Sequence, residues 1–222
     1  MLLLQNVPLL AQLTPEQCAE LTGVVQRRTW GKGAIVVAAG ERADSLYVIL
    51  SGRVQVVMRD EHGREVILAI LSAGDHFGEM ALIDEDRRSA TVVVREPCEA
   101  VVLARPDFVR CLQQNFDMCM AVSRGLVKRL RDADNRIASL ALLDVYGRVA
   151  RVLLEMSDGT ADSSVVEGRL SRQDIAKMVG ASREMVSRVM RDLQTRGYVE
   201  MKGDSIVLRN RIALVDAEPM QE

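Results

Sequence analysis

Histidine and cysteine are in short supply in this chain. Its two histidines, His62 and His76, stand isolated, and its four cysteines (Cys18, Cys98, Cys111 and Cys119) lack the spacing of a metal site. Cys111 and Cys119 fall in a helical region at a separation that suits packing better than an iron–sulfur cluster, so neither metal nor haem is expected. No nucleophile–base arrangement marks an enzyme, and no catalytic residue is assigned. No apolar run approaches the ~18 residues of a membrane span. The opening MLLLQNVPLL has no basic residue before Arg27, and its apolar run stops at Gln5, so it does not read as a secretory signal. Without export signals, the cysteines are expected as reduced thiols and the protein in the cytoplasm, away from any membrane. A large excess of charge is missing too: the net charge is −2, so the whole molecule is not a generic binder of polyanions.

Length and composition are otherwise ordinary. The 222 residues, 48% apolar and 27% charged, suit one or two soluble domains with ample core. Charge is unevenly spread. From Tyr146 to Arg211 there are 12 basic and 9 acidic residues, whereas Met1 to Leu143 carries 17 and 18. The mild positive excess sits on the segment that holds the strongest motif.

That motif runs from Leu170 to Gly197. Ser171 is placed to cap a short helix, with Asp174 three residues on in capping-box spacing. Ile175, Met178 and Val179 give this helix an inward face, and Gly180 suits a left-handed helix end. Ser182 caps a second helix. At about 100° per residue, Val186, Val189, Met190 and Leu193 share one arc. Arg183, Glu184, Ser187, Arg188 and Arg191 lie opposite, free to meet a partner. This is the pattern of a helix-turn-helix, whose second helix enters the DNA major groove by its N-terminal end. Arginine bridges two acceptors on guanine, and glutamate accepts from the cytosine amino group. Two strands are expected next, over 198–201 and 206–209, with a turn at 202–205. This wing would touch phosphates through Lys202 and Arg209.

Upstream, short apolar bursts from Thr29 to Val102 are punctuated by glycines. A hairpin is expected from Val54–Met58, the turn Asp60–Gly63 and Val66–Ile70, within an antiparallel barrel or sandwich. A single long helix is expected from about Pro106 to Leu143. Val122, Leu126, Leu130, Ala133, Ile137 and Leu140 recur at spacings of three and four, which suggests a parallel dimer seam; the alternative is a single helix packed on the barrel. Leu142–Val145 reads as a hinge, with Asp144 capping the next helix, Tyr146–Met156. The segment Ser157–Ser164 reads as a polar loop. Within the barrel lies Phe77-Gly78-Glu79-Met80-Ala81-Leu82, then the acidic Asp84–Asp86, then Arg87-Arg88-Ser89-Ala90. Gly78 before a short helix leaves free amides suited to an anion. Arg88 can bind a phosphate in bidentate fashion, and Glu79 can accept from a sugar hydroxyl. The bland alternative is a Glu79–Arg88 ion pair with no ligand.

With cassette, long helix and helix-turn-helix in this order, the chain resembles the cyclic-AMP receptor protein/fumarate-nitrate regulator (CRP/FNR) family over about Val7 to Arg211. Its most specific pieces are FGEMAL…RSA, LLDVYGRVA and SRQDIAKMVGASREMVSR. The resemblance implies an α+β fold: a cyclic-nucleotide-binding β-barrel of jelly-roll type over 1–105, a dimerisation helix over 106–143, and a winged helix-turn-helix over 144–222. It implies a homodimeric transcription regulator, an activator, that binds double-stranded DNA and RNA polymerase under the allosteric control of a cyclic nucleotide. The Ser157–Ser164 segment is the candidate for polymerase contact. The implied effector site comprises Gly78, Glu79, Met80, Ala81, Arg88, Ser89, Arg129, Ala133 and Asp134, with Glu79 on the ribose and Arg88 and Ser89 on the phosphate. The implied DNA site comprises Ser171, Arg172, Ser182, Arg183, Glu184, Ser187, Arg188, Arg191 and Lys202, reading a half-site like TGTGA.

Two departures stand out. The N-terminal cysteine cluster of the oxygen-sensing branch is absent. The adjacent threonine and serine that face adenine in the cyclic-AMP branch are here Ala133 and Asp134. A carboxylate only accepts hydrogen bonds. Guanine offers two adjacent donors on its pairing edge, whereas adenine offers a donor and an acceptor. Asp134 facing the base would therefore favour cyclic GMP or cyclic di-GMP over cyclic AMP; the alternative is that it pairs with Arg131 or Arg136. A regulator controlled by cyclic di-GMP, or a constitutive DNA-binding protein with a scaffold barrel, remains the second reading.

Overall fold

The computed structural model describes residues 23–160, 163–166, 170–203 and 205–209. Cys18, the opening segment and residue 204 of the wing turn lie outside them. The chain divides into two compact units, Met1–Arg129 and Leu130–Glu222.

The first unit is an antiparallel barrel. Its strands are β1 (Gln26–Trp30), β2 (Ile35–Val37), β3 (Ser45–Arg59), β4 (Glu65–Leu71), β5 (His76–Phe77) and β6 (Thr91–Ala104). They pair in the order β1-β6-β3-β4, with β2 on β6 and β5 on β3. The expected hairpin is present, Val54 facing Leu71 and Met58 facing Val66. Successive residues of β3 and β6 enter different cores, because strand side chains alternate between faces. Tyr47, Ile49 and Val102 pack with Val37, Phe77 and Val92. Leu46, Val48, Val101 and Leu103 pack instead with Phe108, Met118 and Val122 of the following helices. Both faces of this ladder are thus buried, one by the barrel and one by helix, which explains the near-continuous apolar runs.

Between β5 and β6 lies a short helix, α1 (Met80–Ile83). After β6 come α2 (Arg105–Gln114) and α3 (Phe116–Leu142). The one long helix expected from Pro106 to Leu143 is therefore two. Asn115 between them is extended, at φ −135° and ψ 103°. Its side chain accepts a hydrogen bond from the Met118 amide at 2.9 Å, which starts α3 as a cap would. The break lets Phe108 and Met118 both reach the same core, each 0% exposed.

The expected seam also changes phase. Val122 is buried and Leu126 partly so against the barrel core, so neither is available to a second copy. The apolar residues left exposed on α3 include Phe116, Val127, Leu130 and Ile137.

In the second unit α4 (Val145–Glu155) begins at Asp144, whose side chain accepts from the Gly147 amide as expected. Two helices follow: α5 (Arg172–Val179) and α6 (Arg183–Thr195). The segment read as a loop over 157–164 instead contributes to β7 (Ser157–Thr160) and β8 (Ser163–Val166). These join β10 (Ser205–Leu208) and β9 (Val199–Lys202) in a sheet of order β7-β8-β10-β9. Short polar strands have no apolar alternation to announce them; pairing with the wing makes them strands. Val166 and Val207 are buried there.

One position tests the β3–β6 ladder. Gly52 has φ +84°, and a Cβ on it would lie 2.1 Å from the Pro97 carbonyl oxygen and 2.7 Å from the Cys98 Cα. Both obstacles are backbone, at a point where the β3–β6 register shifts. Gly52→Ala is expected to destabilise the protein by at least about 2 kcal/mol in urea unfolding. Gly63→Ala is the matched control, since it too has positive φ but meets nothing within 4 Å.

Candidate ligand cassette and nucleic-acid interface

The cassette is assembled where the chain leaves β5. Pairing of β5 with β3 places Phe77 opposite Tyr47, and their rings stack at 4.9 Å. Gly78 then turns with φ +90°, and a Cβ there would sit 2.4 Å from Arg88 Nη1. Backbone angle and close approach both require glycine. Ala81 and Leu82 bury the short α1, which holds Glu79 at its start. The Leu82 and Ile83 amides donate back to the Glu79 carbonyl, closing the short helix on its first residue.

Arg88 is 5% exposed. Its Nη1 donates to the Gly78 carbonyl at 2.9 Å, and its Nη2 to the Ser45 carbonyl at 2.7 Å. The guanidinium lies 5.7 Å from the centre of the Tyr47 ring, a cation–π distance. A guanidinium has five N–H groups, so these two bonds do not exhaust it. Ser45 and Tyr47, some forty residues away in sequence, were not identified from the motif.

Glu79 is 1% exposed. It does not pair with Arg88. Its Oε1 accepts from Arg129 Nη1 at 2.5 Å, and Arg129 Nη2 donates to the His76 carbonyl. Arg129 thus ties α3 to the cassette. Glu79 Oε2 is buried with no hydrogen-bond partner. A buried acceptor left unsatisfied is costly, and a hydroxyl donor would satisfy it. That orphan oxygen, beside a glycine turn and a buried guanidinium, fits the sugar–phosphate of a cyclic nucleotide. Ser89 and Met80 are exposed at the same cassette. Ala133 and Asp134 are exposed on α3 and belong to the second unit.

His76 is the residue that motif reading passed over. Its ring lies against α3, where a Cβ on Gly125 would meet its Cε1 at 3.5 Å. Burial holds its imidazole below the usual pKa of 6.5; Arg129 acts in the same direction, and Glu79 and Asp75 oppose. No local signal marks this role, because it depends on which helix covers the strand.

The acidic loop has a different use. Glu85 pairs with Arg105, and Glu85, Asp86, Arg42 and Arg87 line a surface depression. Arg87 donates to the Gly40 carbonyl at 2.8 Å.

The helix-turn-helix forms as its spacing requires. Ser171 and Asp174 make a reciprocal capping box, and Gly180 is left-handed at φ 65°. Ser182 Oγ accepts from the Met185 amide at 3.1 Å. Ile175 and Val179 are buried on α5, joined by Ala176, while Met178 is only partly buried. On α6 the buried set is Val186, Val189, Met190 and Leu193. Arg183, Glu184, Arg188 and Arg191 are exposed, and Ser187 is half-buried. Arg172 turns inward, donating to the Ser187 carbonyl at 3.3 Å, so it braces the two helices. In the wing Lys202 is exposed, whereas Arg209 pairs with Glu200.

The depressed His76 pKa has a pH consequence. Folding releases the proton that unfolded His76 holds below its ordinary pKa of 6.5. Its contribution to stability is present above that value and is lost as pH falls from there through the lower folded pKa. His76→Phe should flatten the stability profile in this window, read by urea midpoints between pH 5 and 8. An unchanged slope would remove His76 as its source.

Two family models match this architecture: a cyclic nucleotide-binding domain over residues 27–115 and a Crp-like helix-turn-helix domain over 147–217. The chain is 37% identical to the cAMP-activated global transcriptional regulator CRP of Pasteurella multocida over 177 residues, covering 78% of this chain and 85% of that protein. It is 34% identical to the cAMP-activated global transcriptional regulator Vfr of Pseudomonas aeruginosa, covering 82% and 88%. Among solved structures it is similar to the c-di-GMP responsive global regulator CLP of Xanthomonas campestris, at 30% identity and a TM-score of 0.74, covering 89% of this chain and all of that one. Among the described residues no helix is long and apolar enough to cross a membrane, and no cluster of metal-ligating side chains occurs. With a nucleotide-binding barrel and a capped recognition helix in one chain, this protein belongs to the CRP/FNR family of DNA-binding transcription regulators and is not an enzyme.

Proposed function

We propose that the protein is a homodimeric transcription activator of the cytoplasm, switched by a cyclic nucleotide held in its barrel. The observation that carries this reading is Glu79. A carboxylate 1% exposed, with one oxygen paired and the other unsatisfied, is matched to a ligand hydroxyl. In this reading Glu79 takes the ribose, while Arg88, Ser89 and the amides from Gly78 to Ala81 take the cyclic phosphate. Arg129 carries ligand occupancy to α3, and Ala133 and Asp134 meet the base. Cyclic AMP and cyclic GMP both suit the sugar–phosphate contacts. Cyclic di-GMP is the second effector, favoured by the likeness to the Xanthomonas campestris regulator.

The exposed residues of α6 then read DNA. Arg183, Glu184 and Arg188 contact bases in a TGTGA-like half-site, with Ser187 and Arg191 beside them. Ser171, Ser182 and Lys202 approach phosphates, and Arg172 supports α6 from within. Two copies are needed to meet two half-sites about one turn of DNA apart, and the exposed apolar residues of α3 supply the pairing face. RNA polymerase is the protein partner, with β7 and β8 the contact segment in place of the expected loop.

Calorimetric titration with cyclic AMP, cyclic GMP and cyclic di-GMP tests the switch. Micromolar binding of one nucleotide is expected, weakened roughly tenfold or more in Ser89→Ala by loss of a charge-assisted hydrogen bond. Ser89 is chosen because it is exposed. Arg88→Ala would also strip two backbone carbonyls of their donor, so loss of binding there would not separate ligand from fold. Absence of binding by all three nucleotides would leave a DNA-binding protein with a scaffold barrel.

The DNA contacts separate by sequence dependence. Arg183→Ala and Arg188→Ala should each cost about 1–3 kcal/mol and relax specificity at one guanine. Lys202→Ala should weaken all sequences alike. Fluorescence anisotropy on the palindrome and on single-base variants reads both effects; a uniform loss in Arg188→Ala would remove its base-reading role.

A further inference from the structure

The end of α6 remote from its proposed base contacts carries a shielded polar cluster. Asp192 and Arg196 stand one turn apart, with Arg196 Nε 3.0 Å from Asp192 Oδ2 and side chains only 17% and 23% exposed. Facing them is Tyr146 in the first turn of α4, 5% exposed. The Arg196 guanidinium lies 5.9 Å from the centre of its ring, a cation–π distance. Burial first, and then the Asp192 carboxylate, hold the phenol above its usual pKa against the opposing charge of Arg196. It therefore stays protonated and able to donate. Tyr198, which leads into β9, is the other titratable group acting on it. The Tyr146 hydroxyl and Asp192 Oδ2 are both buried, and among the described residues neither has an aligned hydrogen-bond partner. Each is what the other lacks.

Stability alone does not account for this cluster. Desolvation offsets much of the attraction within a shielded ion pair, and the two helices already bury Val149, Leu153, Val189 and Leu193. Apolar surfaces can slide on one another, whereas a hydrogen bond tolerates only a few tenths of an ångström. The polar contacts therefore add direction. Helix α6 has 13 residues, which makes it about 20 Å long. A tilt of roughly 5° at its C-terminal end moves its N-terminal end by about 2 Å over that length, more than a hydrogen bond to a base edge survives. Tyr146 is a firm anchor for such a contact, because the Asp144 side chain caps the same turn of α4. The wing starts from the same place: the Tyr198 amide donates to the Leu193 carbonyl at 3.0 Å, and the Arg209 amide to the Tyr198 carbonyl at 2.9 Å.

We propose that Tyr146, Asp192 and Arg196 form a lock that sets the angle of the recognition helix, which makes them positioning residues for base discrimination acting from behind the DNA-reading face. The lock rests on the base-reading role proposed above for Arg183, Glu184 and Arg188. When it is closed, the phenol donates to Asp192, Asp192 holds Arg196, and α6 is fixed to the capped turn of α4. When it is open, α6 stays folded on its apolar face but pivots. Its arginines then reach phosphates as before and guanine edges poorly, so discrimination falls while sequence-independent affinity does not.

Fluorescence anisotropy of the full chain tests the lock. The probes are a TGTGA palindrome and a scrambled duplex of the same composition, without nucleotide and with cyclic AMP, cyclic GMP and cyclic di-GMP in turn. The proteins are the wild type, Tyr146→Phe, Asp192→Asn and the double variant. Phenylalanine keeps the ring that Arg196 covers and removes only the hydroxyl. Each single variant is expected to lower the palindrome-to-scrambled affinity ratio about tenfold, the share of one bidentate base contact, with scrambled binding unchanged. The double variant should lose no more than the worse single one, because both open the same lock. A merely structural contact would lower the urea midpoint and leave the ratio of the folded fraction intact. A wild-type ratio in both single variants therefore overturns the lock, as do losses that multiply in the double variant. A wild type that binds both duplexes alike removes the base reading and the lock with it, whereas a discriminating wild type with unaffected variants removes the lock alone.

Discussion

The first unit depends on one buried carboxylate and the arginine that holds it. Glu79 sits where a two-residue strand ends and a four-residue helix begins, elements too short to be stable alone. Arg129 reaches it from α3 and bonds the His76 carbonyl at the same time. Removing Arg129 would leave the buried Glu79 carboxylate without its partner, which costs more than losing a surface bridge; Arg129 itself is partly exposed. The same contact makes α3 part of the cassette wall. A ligand that satisfied the free Glu79 oxygen would alter the pair, and so the helix. Binding and any conformational response would then share one set of atoms, which is the requirement for a differential effect on two states.

Arg88 shows the complementary economy. Its guanidinium is buried and already braces the turn at Gly78 and the start of β3 through two carbonyls. A group fixed in this way meets a phosphate without further ordering, so the entropy of arranging it is met during folding rather than on binding. The consequence is that fold and site cannot be dissected by deleting that residue. The exposed serine beside it is the cleaner probe, and the helix-turn-helix offers the same contrast. Arg172 looks like a DNA contact by type and position, yet it turns inward onto Ser187. Arg183, Arg188 and Arg191 remain outside.

The exposed stripe of α3 is set by phase. The expected seam combined residues of two faces, Val122 and Leu126 with Leu130 and Ile137. Once the barrel core takes up the first pair, the apolar positions left exposed form a different register. A helix of 27 residues has several plausible stripes, and only the packing of its first half shows which one is left over.

What the sequence determined by itself was the local chemistry. The Ser171–Asp174 capping box, the Ser182 and Asp144 caps, the left-handed Gly180 and the buried face of α6 all rest on spacings of a few residues, which a folded backbone must respect wherever it lies. The Gly78–Glu79 turn and the Arg88–Ser89 pair were legible for the same reason, aided by a family resemblance. Tertiary structure alone decided the partners of those side chains. Glu79 pairs with Arg129 across fifty residues, Arg88 bonds Ser45 across more than forty, and His76 meets Gly125 on a helix that has to fold over the barrel first. The break at Asn115 and the strands β7 and β8 belong to the same class. Each depends on what the neighbouring element buries or pairs, and pairing across that distance in sequence leaves no periodicity along the chain.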